Sequence, residues 1–338
     1  MIVEAIRKVV EQKDLTSEEA ASVMEEIMSG KATEAQIASF LTALRMKGET
    51  VDEISEFAKV MRAHAIRISP KVADLADTCG TGGDVSHTFN ISTVTAFVAS
   101  GAGVHIAKHG NRSVSSRCGS ADVLEALGVK IDLSPKVVEA CIDEVGIGFL
   151  FAPLLHPAMK YATPVRRNIG IRTVFNILGP LTNPAFASAQ ILGVYDPSLA
   201  PMLAKVLGNL GVTHALVVHG DGLDELTNTG ESCISELVDG KVKNYRITPE
   251  QFDLPRVKVD DLRGGTVKQN AQIMRSILSG ERGPRRDIVL LNAAAALVAA
   301  DKAKDLGKGL KLAAESIDSG AALEKLEKLM EFTNKMKG

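Results

Sequence analysis

Leu75-Ala76-Asp77-Thr78-Cys79-Gly80-Thr81-Gly82-Gly83-Asp84 sets the architecture of this chain. A short apolar start runs into a loop with three glycines in four residues. Thr88, Asn90, Ser92 and Thr93 then lead into a helical pattern from Ser92 to Ser100, and Val104 to Ala107 is the next apolar run. Strand, glycine loop, crossover helix and strand make a βαβ unit with parallel strands. The texture continues with buried-strand candidates at Ile147 to Phe151, Gln190 to Val194 and Ala215 to Val218. Helical stretches separate or follow them at Ala121 to Leu127, Pro135 to Glu144, Pro197 to Leu210, Ala271 to Leu278, Asp287 to Ala300 and Ala321 to Lys335. The expected fold class is α/β, with a mainly parallel sheet covered on both faces. Ligands of such sheets sit beyond the C-terminal strand ends, on the loops that follow.

Upstream, about the first 65 residues read as purely helical. Capping boxes recur at Thr16-x-x-Glu19, Thr33-x-x-Gln36 and Thr50-x-x-Glu53, each opening an amphipathic stretch. Gly30 and Gly48 are placed to close the first two helices as C′ residues. Ile66 to Pro70 reads as an extended linker. The expected division is a small helical domain over 1–66 and a large α/β domain over 70–338.

At 338 residues, 45% hydrophobic and 24% charged, the chain can bury ample core and is not a disordered sequence. A net charge of −2, from 39 basic and 41 acidic residues, does not suggest a nucleic-acid surface. Aromatics at 4% with no Trp argue against base-stacking platforms. The longest apolar run, Ile288 to Ala300, is broken by Asn292 and is too short to span a bilayer. The N-terminus has no signal-peptide layout, so a cytoplasmic protein is expected, with no membrane partner. Cys79, Cys118, Cys141 and Cys233 show neither CxxC nor zinc spacing and read as free thiols.

Four constellations carry chemistry. The loop Gly80 to Asp84, with Thr88 and Asn90 to Thr93 at a helix start, offers backbone N–H groups and hydroxyls to an anion, yet is neither GxGxxG nor a Walker loop. Lys108-His109-Gly110-Asn111-Arg112-Ser113-Val114-Ser115-Ser116, running on to Ser120 as a helix N-cap, sets a point charge, a planar fork and hydroxyls in one post-strand loop. Asp224-Glu225 is an acidic pair suited to magnesium, which takes one or two carboxylates plus substrate phosphate. Arg166 and Arg167 on a helix could clamp a carboxylate, and Phe175 to Pro184 is irregular backbone. Taken singly, each also reads as an ordinary turn, a solvated loop or a surface charge.

Taken together they resemble the anthranilate phosphoribosyltransferases. Gly80-Thr81-Gly82-Gly83-Asp84, Asn90-Ile91-Ser92-Thr93, Lys108-His109-Gly110-Asn111-Arg112 with Ser115-Ser116, Cys118-Gly119-Ser120-Ala121-Asp122, Asn176 to Pro184 and Asp224-Glu225 stand in that family's order and approximate spacing. The resemblance implies a nucleoside-phosphorylase-like architecture, with helices near 156–185 returning to the small domain and a homodimer formed through it. It implies transfer of the phosphoribosyl group of phosphoribosyl diphosphate to the amine of anthranilate, in tryptophan biosynthesis. Gly80, Gly83, Asp84, Thr88, Asn90, Ile91, Ser92, Thr93, Lys108 to Ser116 and Ser120 match the phosphoribosyl contacts. Arg166 matches the carboxylate anchor, with Asn111 and the Gly80 backbone beside it. Ser92, Asp224 and Glu225 match ligands of Mg2+, with two ions per site. His109 is the candidate acceptor of the proton lost by the amine, His156 a helix-entry residue or a support behind the site side chains, and Cys79 and Cys118 packing residues. The rival on this fold is a pyrimidine nucleoside phosphorylase, against which the acidic pair speaks. A non-enzymatic nucleic-acid-binding relative has no use for that pair.

Overall fold

A computed structural model of the chain describes residues 1–83, 86–113 and 118–336. It opens with four helices, α1 (Ile2–Val10), α2 (Ser17–Met28), α3 (Glu34–Lys47) and α4 (Val51–Ala63). All three expected capping boxes form, each threonine accepting the N3 backbone N–H and each Glu or Gln reaching back. Gly30 follows the α2 cap in the left-handed region, whereas Gly48 is itself the α3 cap. The third box does more than close a helix. Glu53 is fully buried and accepts from Thr50 N–H (2.8 Å), Leu15 N–H (2.9 Å) and Lys47 Nζ (3.0 Å), joining three segments of the bundle.

The α/β part begins with β1 (Leu75–Gly80), α5 (Ile91–Gly101) and β2 (His105–Gly110). It continues through α6 (Ser120–Ala126), α7 (Pro135–Ala140), a π-helical turn (Cys141–Val145) and β3 (Ile147–Phe151). Short helices α8 (Ala152–Leu155), α9 (Thr163–Ile169) and α10 (Phe175–Leu178) then lead to β4 (Ala189–Gly193). After α11 (Ala200–Asn209) come β5 (His214–Gly220), β6 (Ser232–Val238) and β7 (Lys241–Ile247). Helices α12 (Val267–Leu278), α13 (Pro284–Ala299), α14 (Leu306–Asp318) and α15 (Ala321–Lys335) complete the chain.

The seven strands form one sheet in the order β3-β2-β1-β4-β5-β6-β7, parallel from β3 to β5 and antiparallel at β6 and β7. Chain order reverses between β1 and β4, which makes their C-terminal ends the switch point where open α/β sheets bind ligands. One sheet face buries Ala76, Ile106, Ile191 and Leu216 beneath α5 and α13. The other buries Leu192, Val194, Ala215 and Val217 in a core shared with α1–α4, α11 and the segment Ala162 to Leu181. The small helical domain therefore packs as an additional layer on the sheet side and is continuous with the rest of the molecule. Ile66 to Pro70 has no regular secondary structure, yet it is held on both sides. Ile66 N–H reaches Leu155 O (2.8 Å), Ile68 N–H reaches Pro184 O (3.1 Å), and Ser69 N–H reaches Glu139 Oε1 (2.7 Å).

The β6–β7 hairpin and α14 escape a search for apolar runs. In β7 the exposed residues are Lys241, Lys243, Asn244 and Arg246, a polar edge strand of the kind that resists further pairing. In α14, Gly307 and Gly309 disguise the helix; a Cβ on Gly309 would meet Ala294 O at 2.8 Å, so glycine there permits the close crossing of α13 and α14. Strand β2 also runs further than the apolar residues indicate, so Lys108 and His109 belong to the sheet and not to the loop after it.

His214, at the start of β5, lies between Glu236 Oε1 on β6 (3.1 Å) and Asp301 Oδ1 beyond α13 (3.0 Å). The Glu236 hydrogen bond, against the opposing effect of burial, holds its pKa above the ordinary 6.5. A raised folded-state value stabilises the fold below the unfolded pKa, and the stabilisation disappears as pH rises through the folded one. His214→Ala will lower the melting temperature more at about pH 6 than at about pH 8.5, read by thermal unfolding at both.

Candidate active site

Gly80 ends β1 and Gly193 ends β4, and the two are register partners. A Cβ on either would collide with Asp224: at Gly80 with the Oδ2 carboxylate oxygen, at Gly193 with the backbone carbonyl. The absent side chains leave a slot at the switch point, and the acidic loop after β5 drops into it. There Asp224 Oδ2 accepts the N–H of Gly82 (2.8 Å) in the glycine loop, whose Gly82 and Gly83 both adopt positive φ. The polar break at Asn292 in the longest apolar run now has a cause. Its side-chain amide accepts from Leu226 N–H (2.9 Å) and donates to Leu226 O (2.8 Å), fixing the chain just past the acidic pair. Glu225 lies close enough to Lys108 to favour the ammonium form.

Among the described residues no three His, Cys, Asp or Glu side chains converge on a point. Magnesium takes one or two carboxylates from a protein, keeps waters and shares phosphate oxygens with the substrate. The donor set, two hard carboxylates after β5 and the Ser92 hydroxyl in the first turn of α5, fits that ion.

The entry to α5 is more structural than expected. Thr88 forms an antiparallel bridge with Arg263. Asn90 is the N-cap by position, but its side chain makes no cap bond and donates instead to Cys118 O (3.1 Å). Ile91 is core. Ser92 is half-buried, and its carbonyl accepts from Thr78 Oγ1 (3.0 Å). Thr93 is buried, and its hydroxyl has no partner among the described residues.

Lys108 is 2% exposed, and its ammonium donates to Thr78 O inside the sheet. Burial lowers its pKa, opposed by the Asp77 carboxylate. The expectation of a loop cation is thus corrected: the longer strand turns residue 108 inward, over a buried polar layer. In that layer Asp77 accepts His109 N–H (3.1 Å) and Asn183 Nδ2 (2.8 Å), and Asn183 also donates to Ala107 O (2.8 Å). Burial raises the Cys79 thiol well above its ordinary pKa, in keeping with a packing residue.

His109 Nδ1 faces the carbonyl of Gly179 (3.2 Å), so it carries the proton, and Nε2 faces His156 Nε2 (3.2 Å) as the acceptor. Burial, with a smaller contribution from His156, pushes His109 down to about 3, and burial brings His156 to about 4. With its lone pair occupied and its basicity suppressed, His109 is suited to lining and orienting the site and not to accepting a proton. Of the two roles expected for His156, the supporting one is seen, since it is the partner of that ring.

Gly110 must be small, since a Cβ would meet Phe149 Cε2 at 2.6 Å and crowd Ser120 Oγ. Asn111 O accepts from Ser120 Oγ and Ala121 N–H, both at 3.2 Å. Arg112 turns outward to Glu125 and Asp122, which neutralise the cation expected for phosphate. Ser113 N–H is held by Asp122 Oδ2 (3.1 Å). Ser120 is not the α6 N-cap; Gly119 is, its N–H taken by Asp122 Oδ2 (2.8 Å), because the backbone of Arg112 and Ser113 leaves no room for a Cβ at 119. Asp84, Val114, Ser115 and Ser116 lie outside the described residues.

Arg166 is half-buried on α9 with its guanidinium over the Phe175 ring (5.3 Å), and burial lowers its pKa. Arg167 is exposed. The residue missed in the sequence is Arg172, whose guanidinium donates to Gly83 O and lies over the Tyr195 ring (4.2 Å). It thereby latches the glycine loop to the segment after β4. Its only sequence signal is one more arginine downstream of the Arg166-Arg167 pair.

Residues 72–323 match the family model described as glycosyl transferase family, a/b domain, and residues 3–65 match the glycosyl transferase family, helical bundle domain. The chain is 60% identical over 333 residues to an anthranilate phosphoribosyltransferase of Symbiobacterium thermophilum, covering 98% of both chains. It is 59% identical over 337 residues to that of Pelotomaculum thermopropionicum, covering 99% of this chain and 98% of the relative. The crystal structure of the Thermus thermophilus enzyme superposes with a TM-score of 0.94 at 44% identity, covering 98% of this chain and 99% of that one. The Saccharomyces cerevisiae enzyme in complex with PRPP and Mg does so with a TM-score of 0.91 at 30% identity, covering 99% and 98%. A seven-stranded sheet with a glycine slot for an acidic loop, beneath a helical bundle, and relatives of this identity over nearly the full length lead to one assignment: this chain belongs to the anthranilate phosphoribosyltransferase family.

Proposed function

We propose that this enzyme transfers the 5-phosphoribosyl group of phosphoribosyl diphosphate to the amine of anthranilate, releasing pyrophosphate, as a step of tryptophan biosynthesis. The observation that carries the reading is Asp224 seated between Gly80 and Gly193 with its carboxylate on the glycine loop, because it joins an acidic pair to a loop of exposed backbone N–H groups. Gly80, Gly83, Asp84, Thr88, Asn90 to Thr93, Lys108 to Ser116 and Ser120 are the phosphoribosyl-diphosphate side of the site. Asp224, Glu225 and Ser92 would hold Mg2+, two ions in our reading. When bound, Mg2+ supplies charge neutralisation for the departing pyrophosphate.

Arg166, with Asn111 and the Gly80 backbone, is the anchor for the anthranilate carboxylate. An aromatic amine is already unprotonated near neutral pH, so attack needs no strong base, in accord with the suppressed basicity of His109 and His156. Catalysis then rests on placing the amine against the ribosyl carbon and on surrounding the developing positive charge with fixed dipoles. We further propose domains over 1–66 and 70–338, a homodimer formed through the small domain, and a cytoplasmic location. Among the described residues no helix is long and apolar enough to cross a membrane.

Mixing the enzyme with anthranilate, phosphoribosyl diphosphate and magnesium should consume anthranilate, read as loss of its fluorescence, and a chelator should stop it; no loss with folded enzyme sinks the reading. Asp224→Asn and Gly193→Ala will each lower kcat/KM by on the order of 100-fold, the first by removing a carboxylate and the second by forcing the acidic loop out of its slot. Arg166→Ala will raise KM for anthranilate by roughly 10-fold or more while leaving KM for phosphoribosyl diphosphate within about 3-fold, in steady-state kinetics with each substrate varied.

A further inference from the structure

Asn270 stands in the first turns of α12, 3% exposed, far along the chain from every site motif. Its Oδ1 accepts the N–H of Gly265 (2.8 Å), and its Nδ2 donates to Oδ1 of Asn90 (3.2 Å). Asn90 passes the bond on, donating from its own Nδ2 to Cys118 O (3.1 Å). The relay starts at a backbone N–H, which can only donate, and ends at a carbonyl, which can only accept. Both amides therefore have one permitted orientation.

The segment that Asn270 secures is itself bound to the chain following the glycine loop. Phe89 N–H donates to Leu262 O (3.2 Å), Gly264 N–H donates to His87 O (3.0 Å), and Arg285 Nη2 holds Arg263 O (2.9 Å). Gly264 has no room for a side chain: a Cβ would meet Asn270 Oδ1 at 2.6 Å and Thr88 O at 2.9 Å. Two amides thus tie together the 262–265 segment, the entry to α5 and the end of the second loop at Cys118.

We propose that Asn270 is a positioning residue for the diphosphate cradle: it fixes the Asn90 amide, and through Asn90 it holds the two phosphate loops at a set separation. The proposal rests on the phosphoribosyl-transfer reading. Affinity for phosphoribosyl diphosphate then depends on a side chain that faces only protein.

Asn270→Asp is the sharpest test, because it keeps the shape and the acceptor for Gly265 but, when ionised, opposes Asn90 Oδ1 with a second acceptor. KM for phosphoribosyl diphosphate rises roughly 10-fold or more at about pH 8, with kcat at saturation within about 3-fold. Protonating the introduced carboxyl restores an O–H donor in the same place. The variant-to-wild-type ratio of kcat/KM therefore climbs as pH is lowered from about 8 to about 6. Asp122 on the second loop and His87 before α5 are common to both proteins, whereas the Cys118 thiol is hydrogen-bonded to Asn270 itself, so the ratio is also read with Cys118→Ser in both proteins, where the climb must persist. Asn270→Ser, too short to bridge, loses affinity at every pH without recovery. An unchanged KM, a defect in Asn270→Asp that ignores pH, or failure of both variants to fold overturns the proposal. If the wild type transfers no phosphoribosyl group, the functional reading fails, and the loop tie is tested by calorimetric titration with pyrophosphate and magnesium: the same weakening and recovery in acid support it, and equal binding overturns it.

Discussion

Asp224 reaches the glycine loop through a gap that exists only because residues 80 and 193 carry no side chains. Those glycines are neighbours across β1 and β4, the strands between which chain order reverses. The connections that follow these parallel strands lead to opposite sides of the switch point and open a crevice at the C-terminal strand ends, and a side chain at either position would close it to the loop after β5. The hydrogen bond from Gly82 to Asp224, the anchoring of Leu226 by Asn292 and the latch of Arg172 on Gly83 all bear on that one junction. The glycine loop and the acidic loop are joined there by backbone geometry before any ligand arrives.

Beneath the crevice the sheet carries a polar layer that is costly to bury and is therefore densely bonded. Asp77 takes N–H groups from β2 and from Asn183, Lys108 donates to β1, and the His109 and His156 rings share a single proton direction. Burial lowers the pKa of Lys108 and brings the two imidazoles down to about 3 and about 4. Such a layer holds the floor of the site at a fixed height and leaves the rings neutral. That suits a reaction whose demand is placement of a nucleophile that is already deprotonated.

Much of this is legible in the chain. Capping boxes are local chemistry, so the helices opening at Thr16, Thr33 and Thr50 can be read directly. The runs that form β1 to β5 are apolar because their strands are covered on both faces. The β6–β7 hairpin has a solvent-facing edge and no such run, and α14 has glycines chosen by a neighbouring helix, so neither announces itself. On residue type alone, Lys108 and Arg112 both read as cations for phosphate. Direction separates them: strand alternation turns Lys108 inward, and Arg112 finds Glu125 and Asp122 on its own side of the loop.

Local chemistry along the chain is enough to specify the elements, their alternation and the motif residues, since capping, periodicity and glycine placement act over a few residues. Which of those residues meet is settled by the folded arrangement alone. That Gly193 serves Asp224, that Asn292 anchors the acidic loop, that His156 occupies the lone pair of His109 and that Asn270 orients Asn90 are all contacts between distant segments. No local pattern encodes them, because a hydrogen bond or a steric gap between distant positions is set by strand order and helix packing and not by chain neighbours.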